Sequence, residues 1–269
     1  MIAVFVVLAT MSVVIACFKG NKQNDTAEGP TATTSSETAG DTNPEENAGE
    51  STKDAVGLQA YQNEQLADQV AWLYLPGTEI NDPVVQAADN DYYLKRDEYG
   101  NPATWGCYYA DYLCNLSSRD ALNTNTVIYG HSYKTEDPNE RKFTQLFHYC
   151  DIDFVRENPY MYLSVDGEDL IFQVAAVFFT DISFDYINPE PSGEELTEFF
   201  DTIARKNEYI FDGLDFGPGD KVLTLSTCSY RYDIQNTRNQ RFVVMGKLLP
   251  AGAAAPQCIV TENSNPERP

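Results

Sequence analysis

The chain has 269 residues, with 42% hydrophobic and 12% aromatic content, enough to bury a core in one large domain or in a medium domain with tails. Lys and Arg number 18 against 41 Asp and Glu, a formal charge of −23 that phosphate backbones repel, so no nucleic-acid partner is expected. The composition fits neither a coiled coil nor a collagen-like repeat, and six Cys in so long a chain do not make a disulfide-dense mini-protein.

Residues 1–18 (MIAVFVVLATMSVVIACF) are almost entirely apolar and carry no charge. About twenty apolar residues span a bilayer, so this segment reads as a short membrane anchor or as the core of a signal segment. Lys19 and Lys22 follow it rather than precede it, and the missing positive flank fits a start assigned too late. Val14–Cys17 loosely resembles a lipoprotein processing site, although Cys17 as a plain anchor residue is the simpler reading. Each version exports the protein. Residues 19–54 are Thr, Ser, Gly, Asn, Glu and Asp without apolar periodicity, and cannot bury enough surface to offset the entropy of ordering. They read as a disordered acidic linker.

The folded part is expected over 55–250, and 251–269 as a flexible tail. Ala55–Gln69 reads as a short amphipathic helix. Strand-like runs follow at Val70–Leu75, Pro83–Gln86, Trp105–Tyr109, Thr126–Tyr129, Met161–Val165, Leu170–Phe179, Lys221–Leu225 and Arg241–Leu248. They are short and rich in β-branched and aromatic residues, with turn signals such as Pro76-Gly77, Asp166-Gly167 and Gly217-Pro218-Gly219-Asp220 between them. Such a set points to a mainly β sandwich or barrel. Two helices interrupt it. Lys142–Cys150 puts Phe143, Leu146 and Phe147 on one face. Ser192–Asn207 has Ser192 as its expected N-cap, acids in the first turn, and Leu196, Phe199, Phe200 and Ile203 on one face.

Three places can carry chemistry. His131 directly follows a strand and Gly130; the chain has only two His, and a lone His there is more often structural. Cys228 ends the apolar run Val222–Thr227, where a buried inert thiol is the usual outcome and a reactive one needs partial exposure and a cationic neighbour. Arg241 opens the last strong strand and, if the two strands pair as a hairpin, lies near Cys228; taken alone it is a surface strand Arg, and Arg238 competes for its role. Together, a thiol nucleophile, an imidazole that moves a proton and a guanidinium that steadies an oxyanion form a complete acyl-transfer set. No Asp or Asn partner for the His is evident.

Thr224-Leu225-Ser226-Thr227-Cys228 resembles the TLSTC signature of sortases, Tyr129-Gly130-His131 their His motif, and Arg241-Phe242-Val243-Val244 their Arg strand. The resemblance spans about residues 67–249. Asp89–Leu94, the Gly106–Asp111 stretch and the helix at 192–207 between two late strands are similar to class B members. Arg241 rather than Arg238 matches the family Arg, because it directly precedes Phe-Val-Val.

The resemblance implies a closed β-barrel of about eight strands with an N-terminal helix and an inserted helix. It implies a cysteine transpeptidase, formally in the cysteine peptidase class. Cys228 would attack the carbonyl of a Thr in a C-terminal sorting motif of a secreted protein, Arg241 would stabilise the oxyanion, and His131 would protonate the leaving amine. An amine of peptidoglycan or its lipid-linked precursor would then resolve the thioester. By the same resemblance Asn90, Leu94, Tyr129 and Ser226 line the peptide groove. The implied location is the membrane of a Gram-positive bacterium, held by the N-terminus with the domain outside. The alternatives are a pilus-assembling sortase, a plain cysteine endopeptidase, or an inactive surface-anchored binding module. No cofactor or metal is expected. Cys107, Cys114, Cys150 and Cys258 lack zinc-type spacing, and the acids Glu194, Glu195, Asp151 and Asp153 read as solvated surface. Spacing alone does not decide whether Cys107 and Cys114 are bridged.

Overall fold

The β-branched and aromatic runs do become strands. The structure, a computed structural model, describes residues 66–233, 235–253 and 256–269. In chain order they form β1 (Gln69–Tyr74), β2 (Asn81–Val85), β3 (Tyr108–Ala110), β4 (Asn125–Tyr129), helix α1 (Ile152–Glu157), β5 (Tyr160–Val165), β6 (Glu168–Asp181), helix α2 (Glu194–Lys206), β7 (Tyr209–Phe211), β8 (Val222–Cys228), β9 (Gln240–Leu248) and β10 (Val260–Glu262). Eight strands close a barrel in the order β1-β2-β3-β4-β8-β9-β6-β5, with β5 paired back onto β1. Closure removes the free edges that the barrel strands would have in an open sheet. The β5–β6 hairpin turns on Asp166 (φ 48) and Gly167 (φ 79), the doubly left-handed pair that suits a two-residue connection between right-twisted strands.

Two pairings are parallel, β2 with β3 and β4 with β8; the others in the barrel are antiparallel. Residue alternation sorts the two faces. Leu223, Leu225, Phe242 and Val244 point into the barrel core with Leu73, Phe172 and Leu163. Val222, Val243 and Met245 face outward with Ala176 and Phe178, covered by Phe199, Phe200 and Ile203 of α2. Because β6 and β9 are apolar on both faces over much of their length, their sequences read as near-continuous apolar runs, whereas β8 alternates Leu223 and Leu225 with Thr224 and Ser226.

Several expectations are corrected. The expected helix at 55–69 lies outside the described residues up to 65; at its end the Gln69 amide closes a turn onto the Leu66 carbonyl at 3.2 Å, and Gln69 opens β1. Lys142–Cys150 is a run of 3-10 turns, not an α-helix, with Phe143, Leu146 and Phe147 buried as expected. Gly193, not Ser192, caps α2, and no side chain caps it; Ser192 contributes its backbone carbonyl, which accepts from the Glu195 and Leu196 amides. The acids Glu194 and Glu195 and the bases Arg205 and Lys206 sit at the helix ends that favour them. The end of the chain, expected to be loose, is docked: β10 pairs with β7, Arg156 Nη2 donates to the Val260 carbonyl, and Arg268 pairs with Glu208. Residues 1–65, including the expected anchor and linker, lie outside the described residues; among those described, no helix is long and apolar enough to cross a membrane.

Candidate active site

The parallel β4–β8 pair builds the site. Its register runs from Asn125↔Val222 to Tyr129↔Ser226, so both strands leave the barrel at the same rim. His131 lies two residues past Tyr129, and Cys228 two past Ser226, which sets them side by side. The pairing continues beyond the ladder: the Gly130 amide donates to the Ser226 carbonyl at 3.3 Å, Thr227 Oγ1 to the Gly130 carbonyl at 2.7 Å, and Ser132 Oγ to the Cys228 carbonyl at 2.6 Å. Antiparallel β9 then places Arg241 directly opposite Cys228.

Alternation along β8 turns Val222, Thr224, Ser226 and Cys228 to the outside of the barrel, since Leu223 and Leu225 fill its core. The site is therefore on the outer face of β3, β4, β8 and β9. One apolar cluster, Val85, Tyr93, Cys107 and Tyr109, flanks it on the β3 side; the cluster beneath α2 flanks it on the other. His131, Cys228 and Arg241 are all partly exposed, as groups that must meet a substrate need to be.

His131 Nε2 lies 2.7 Å from the Leu94 carbonyl oxygen. A carbonyl only accepts, so Nε2 carries a proton and Nδ1 is left as the nitrogen that gains and loses one. Leu94 comes from the 3-10 turn Tyr92–Lys95, and a Cβ on the neighbouring Gly106 would stand 3.2 Å from His131 Cδ2. The imidazole thus has a backbone partner where no acid or amide was evident in the sequence. Trp105, exposed, stacks on Tyr133 with ring centroids 3.9 Å apart.

Arg241 Nη1 donates to the Gln240 carbonyl at 2.9 Å and to that of Arg238 at 3.3 Å. Arg238 itself is in the left-handed region (φ 60), its amide held by Asp233 Oδ2 at 2.8 Å, and it has no register partner on β8. It supports Arg241 through its backbone. Burial raises the Tyr109 hydroxyl, with the nearby Cys228 adding to the rise and Arg241 opposing it; Tyr186 is likewise raised by burial. Both phenols stay neutral at physiological pH.

The four expected groove residues reach the same face but are engaged within the protein. Asn90 Nδ2 and Tyr129 OH both donate to Asp111 Oδ2, at 2.8 and 2.7 Å, and Asn90 Oδ1 accepts from the Tyr112 amide. Ser226 Oγ shares a hydrogen bond with Tyr186 OH at 2.9 Å, and Leu94 packs in the flanking cluster while its carbonyl holds His131. Asp111, buried at 3% exposure, joins them as a residue of the site. A buried carboxylate needs such partners, and it orders Asn90 and Tyr129 at once. Its only signal is an acid directly after an aromatic strand.

Cys107, Cys114, Cys150 and Cys258 are free thiols; Cys107 packs in the outer cluster and Cys114 in the barrel core. Among the described residues no group of three or more His, Cys, Asp or Glu is arranged to hold a metal ion.

Residues 73–249 match the Sortase domain family. The chain is similar to sortase B of Listeria monocytogenes, 30% identical over 183 residues that cover 68% of this chain and 70% of that protein. Sortase B of Staphylococcus aureus is 27% identical over 183 residues, with the same coverage. Among solved structures, sortase B of Clostridium perfringens superposes with a TM-score of 0.59 at 28% identity, covering 72% of this chain and 98% of that one.

Proposed function

The chain belongs to the sortase family, in its class B, and as such is a cysteine transpeptidase; we propose that Cys228, His131 and Arg241 carry its chemistry. The observation that supports this is the register: β4–β8 parallel pairing sets His131 beside Cys228, and β8–β9 pairing sets Arg241 opposite it.

Cys228 Sγ attacks the backbone carbonyl carbon of a Thr in the sorting motif. The carbonyl oxygen takes the negative charge, and Arg241, always protonated, donates to it. The carbon–nitrogen bond breaks as His131 gives a proton to the leaving amine, and a thioester to Cys228 remains. An acceptor amine loses a proton to His131 and attacks the thioester, which forms the new amide and frees the thiol. The proton given to the leaving amine is the one the Cys228 thiol passes to His131, and the one taken from the acceptor amine returns to the thiol.

The substrates of the reaction are a protein with a sorting motif and a nucleophilic amine. We further propose that the first is a secreted protein cut after Thr, and that the amine belongs to peptidoglycan or its lipid-linked precursor. Asn90, Leu94, Tyr129 and Ser226 would border the peptide groove on the outer face. The family places the enzyme at the cell surface; the apolar character of residues 1–18 supports attachment to the membrane of a Gram-positive cell, with 19–54 as the tether.

The test is a mass-spectrometric transfer assay on the full chain. It uses a small library of Thr-containing sorting peptides with triglycine and diaminopimelate-type amines, and Cys228→Ala as control. Cleavage after Thr with an amine-linked product that needs Cys228 is expected. Cys228-dependent cleavage without transfer to any amine would favour an endopeptidase, transfer only to a pilin-type Lys a pilus-assembling enzyme, and no Cys228-dependent reaction an inactive binding module.

A further inference from the structure

The β4–β8 ladder stops at Tyr129↔Ser226, yet His131 and Cys228 both lie beyond it, His131 in the loop after β4 and Cys228 at the last position of β8, where a second loop begins. Something must hold those loops at a fixed separation. Ser132 Oγ on the Cys228 carbonyl is one tie. Another is Glu136, in the loop after His131.

The Glu136 carboxylate is only 8% exposed. Its Oε1 accepts from Ser229 Oγ at 2.8 Å and from the Tyr230 amide at 2.6 Å, and its Oε2 from Arg231 Nε at 3.2 Å. These donors belong to the three residues that directly follow Cys228. Arg231 is fixed in turn: its guanidinium lies over the Phe147 and Phe179 rings at 5.6 and 5.0 Å, and Nη1 donates to Cys150 Sγ at 3.5 Å. The loop after His131 is thereby joined to the loop after Cys228, and both to the end of the barrel.

Two costs mark this as more than a surface ion pair. Glu136 adopts a left-handed backbone (φ 51), which an L residue with a Cβ adopts only at a price in energy. A nearly buried carboxylate must also be desolvated, which only good hydrogen-bond donors offset. Both are met where a carboxylate from the His loop reaches the three residues that leave the thiol, beside Ser132 on the Cys228 carbonyl and Lys134 Nζ over the Tyr230 ring at 5.2 Å.

We infer that Glu136 is a positioning residue for transpeptidation: by reaching from the His131 loop to Ser229, Tyr230 and Arg231, it sets the separation of imidazole and thiol. The inference rests on the proposed roles of His131 and Cys228. Glu136 touches neither substrate nor reacting atoms. What it supplies is reach, with its charge serving Arg231 alone.

The experiment separates reach from charge in the full chain. Glu136→Asp keeps the charge and shortens the arm by one methylene. Glu136→Gln keeps the arm and the acceptor for Ser229 and Tyr230 but loses the charge. With a cleavable sorting peptide, kcat is expected to fall about tenfold or more in Glu136→Asp and Glu136→Ala, while KM stays within about threefold, since a small misplacement of reacting groups is costly in rate. Glu136→Gln is expected to keep kcat within about fivefold of the parent. Thermal melting shows that each variant is folded at the assay temperature; if Glu136→Ala is not, the Asp and Gln pair carries the test. Wild-type kcat in Glu136→Asp would overturn the inference, and so would a loss shared by Gln and escaped by Asp, which would make the effect one of charge. Cys228→Ala is run alongside: if it retained transfer, the reading of the site itself would fail, whatever the Glu136 variants do.

Discussion

Cys228 on β8 and Arg241 on β9 are register partners across an antiparallel pair, although the loop between them turns through two left-handed residues, Asn236 and Arg238. The pairing makes the oxyanion role testable against its neighbour. Arg241→Lys keeps the charge but loses the fork of donors, and is expected to lower the transfer rate about 100-fold or more. Arg238→Ala is expected to stay within about threefold, because the structure uses the Arg238 backbone rather than a register position facing Cys228. Steady-state rates with one sorting peptide decide it; a damaging Arg238→Ala beside a harmless Arg241→Ala would overturn the assignment.

Gly130 directly follows β4 and precedes His131, packed against Phe143 and Tyr108. A Cβ there would come within 2.7 Å of Phe143 Cδ2 and Cγ and 3.0 Å of Tyr108 Cδ1, and Phe143 is fully buried. Gly130→Ala is expected to destabilise the fold by about 1–3 kcal/mol through over-packing and to displace His131. Urea unfolding measures the first effect and peptide cleavage the second.

The cysteines divide by their surroundings. Burial pushes the Cys107 and Cys114 thiols each up to about 12, and Cys150 up to about 11. The thiolate is the nucleophile, so at pH 8 these three are nearly silent in the folded protein. Iodoacetamide at that pH should label Cys228 first among the described cysteines, with Cys107, Cys114 and Cys150 labelled only after denaturation. Peptide mapping by mass spectrometry reads the order; labelling of Cys107 at the rate of Cys228 would contradict it.

Asp82 gives a pH dependence of stability with a defined sign. Burial raises its carboxyl above the usual value, against the opposing Asn81 amide and the Lys142 charge. A raised folded value favours the protonated acid, so the group's stabilising contribution is full below the unfolded value near pH 4 and is lost as the pH rises through the folded one. Asp82→Asn removes the charge that is penalised at neutral pH while keeping an acceptor for the Asn81 amide. Its Tm is expected to exceed that of the parent at pH 7 and to match it at pH 3. Melting curves at both values check the sign.

The eight barrel strands were legible because most hold β-branched or aromatic runs set off by turn residues, as in Asp166-Gly167 between β5 and β6. The elements that were missed are the ones whose local pattern is weak. β7 and β10 are three residues each and exist only because they pair with one another, Val260 opposite Phe211. The 3-10 character of Lys142–Cys150 was hidden because the spacing of Phe143, Leu146 and Phe147 suits an α-helix equally well. At the site, the parts played by Asp111 and Glu136 are not legible in the sequence, since an acid in an acid-rich chain carries no signal until its burial is known.

The sequence by itself determined the local grammar: where strands start and stop, which helix face is apolar, and which residue types able to move an acyl group are present. It also carried the motif resemblance that joined Cys228, His131 and Arg241 into one set. Only the tertiary structure decided that β4 and β8 run parallel, so that their ends meet at one rim, and that the site lies on the outer face of the barrel. It alone supplied the Leu94 carbonyl to His131 and the Glu136 carboxylate to the residues after Cys228. The reason is physical: turns and periodicity act between near neighbours in the chain, whereas these contacts join distant segments, and a backbone carbonyl is the same group in every residue.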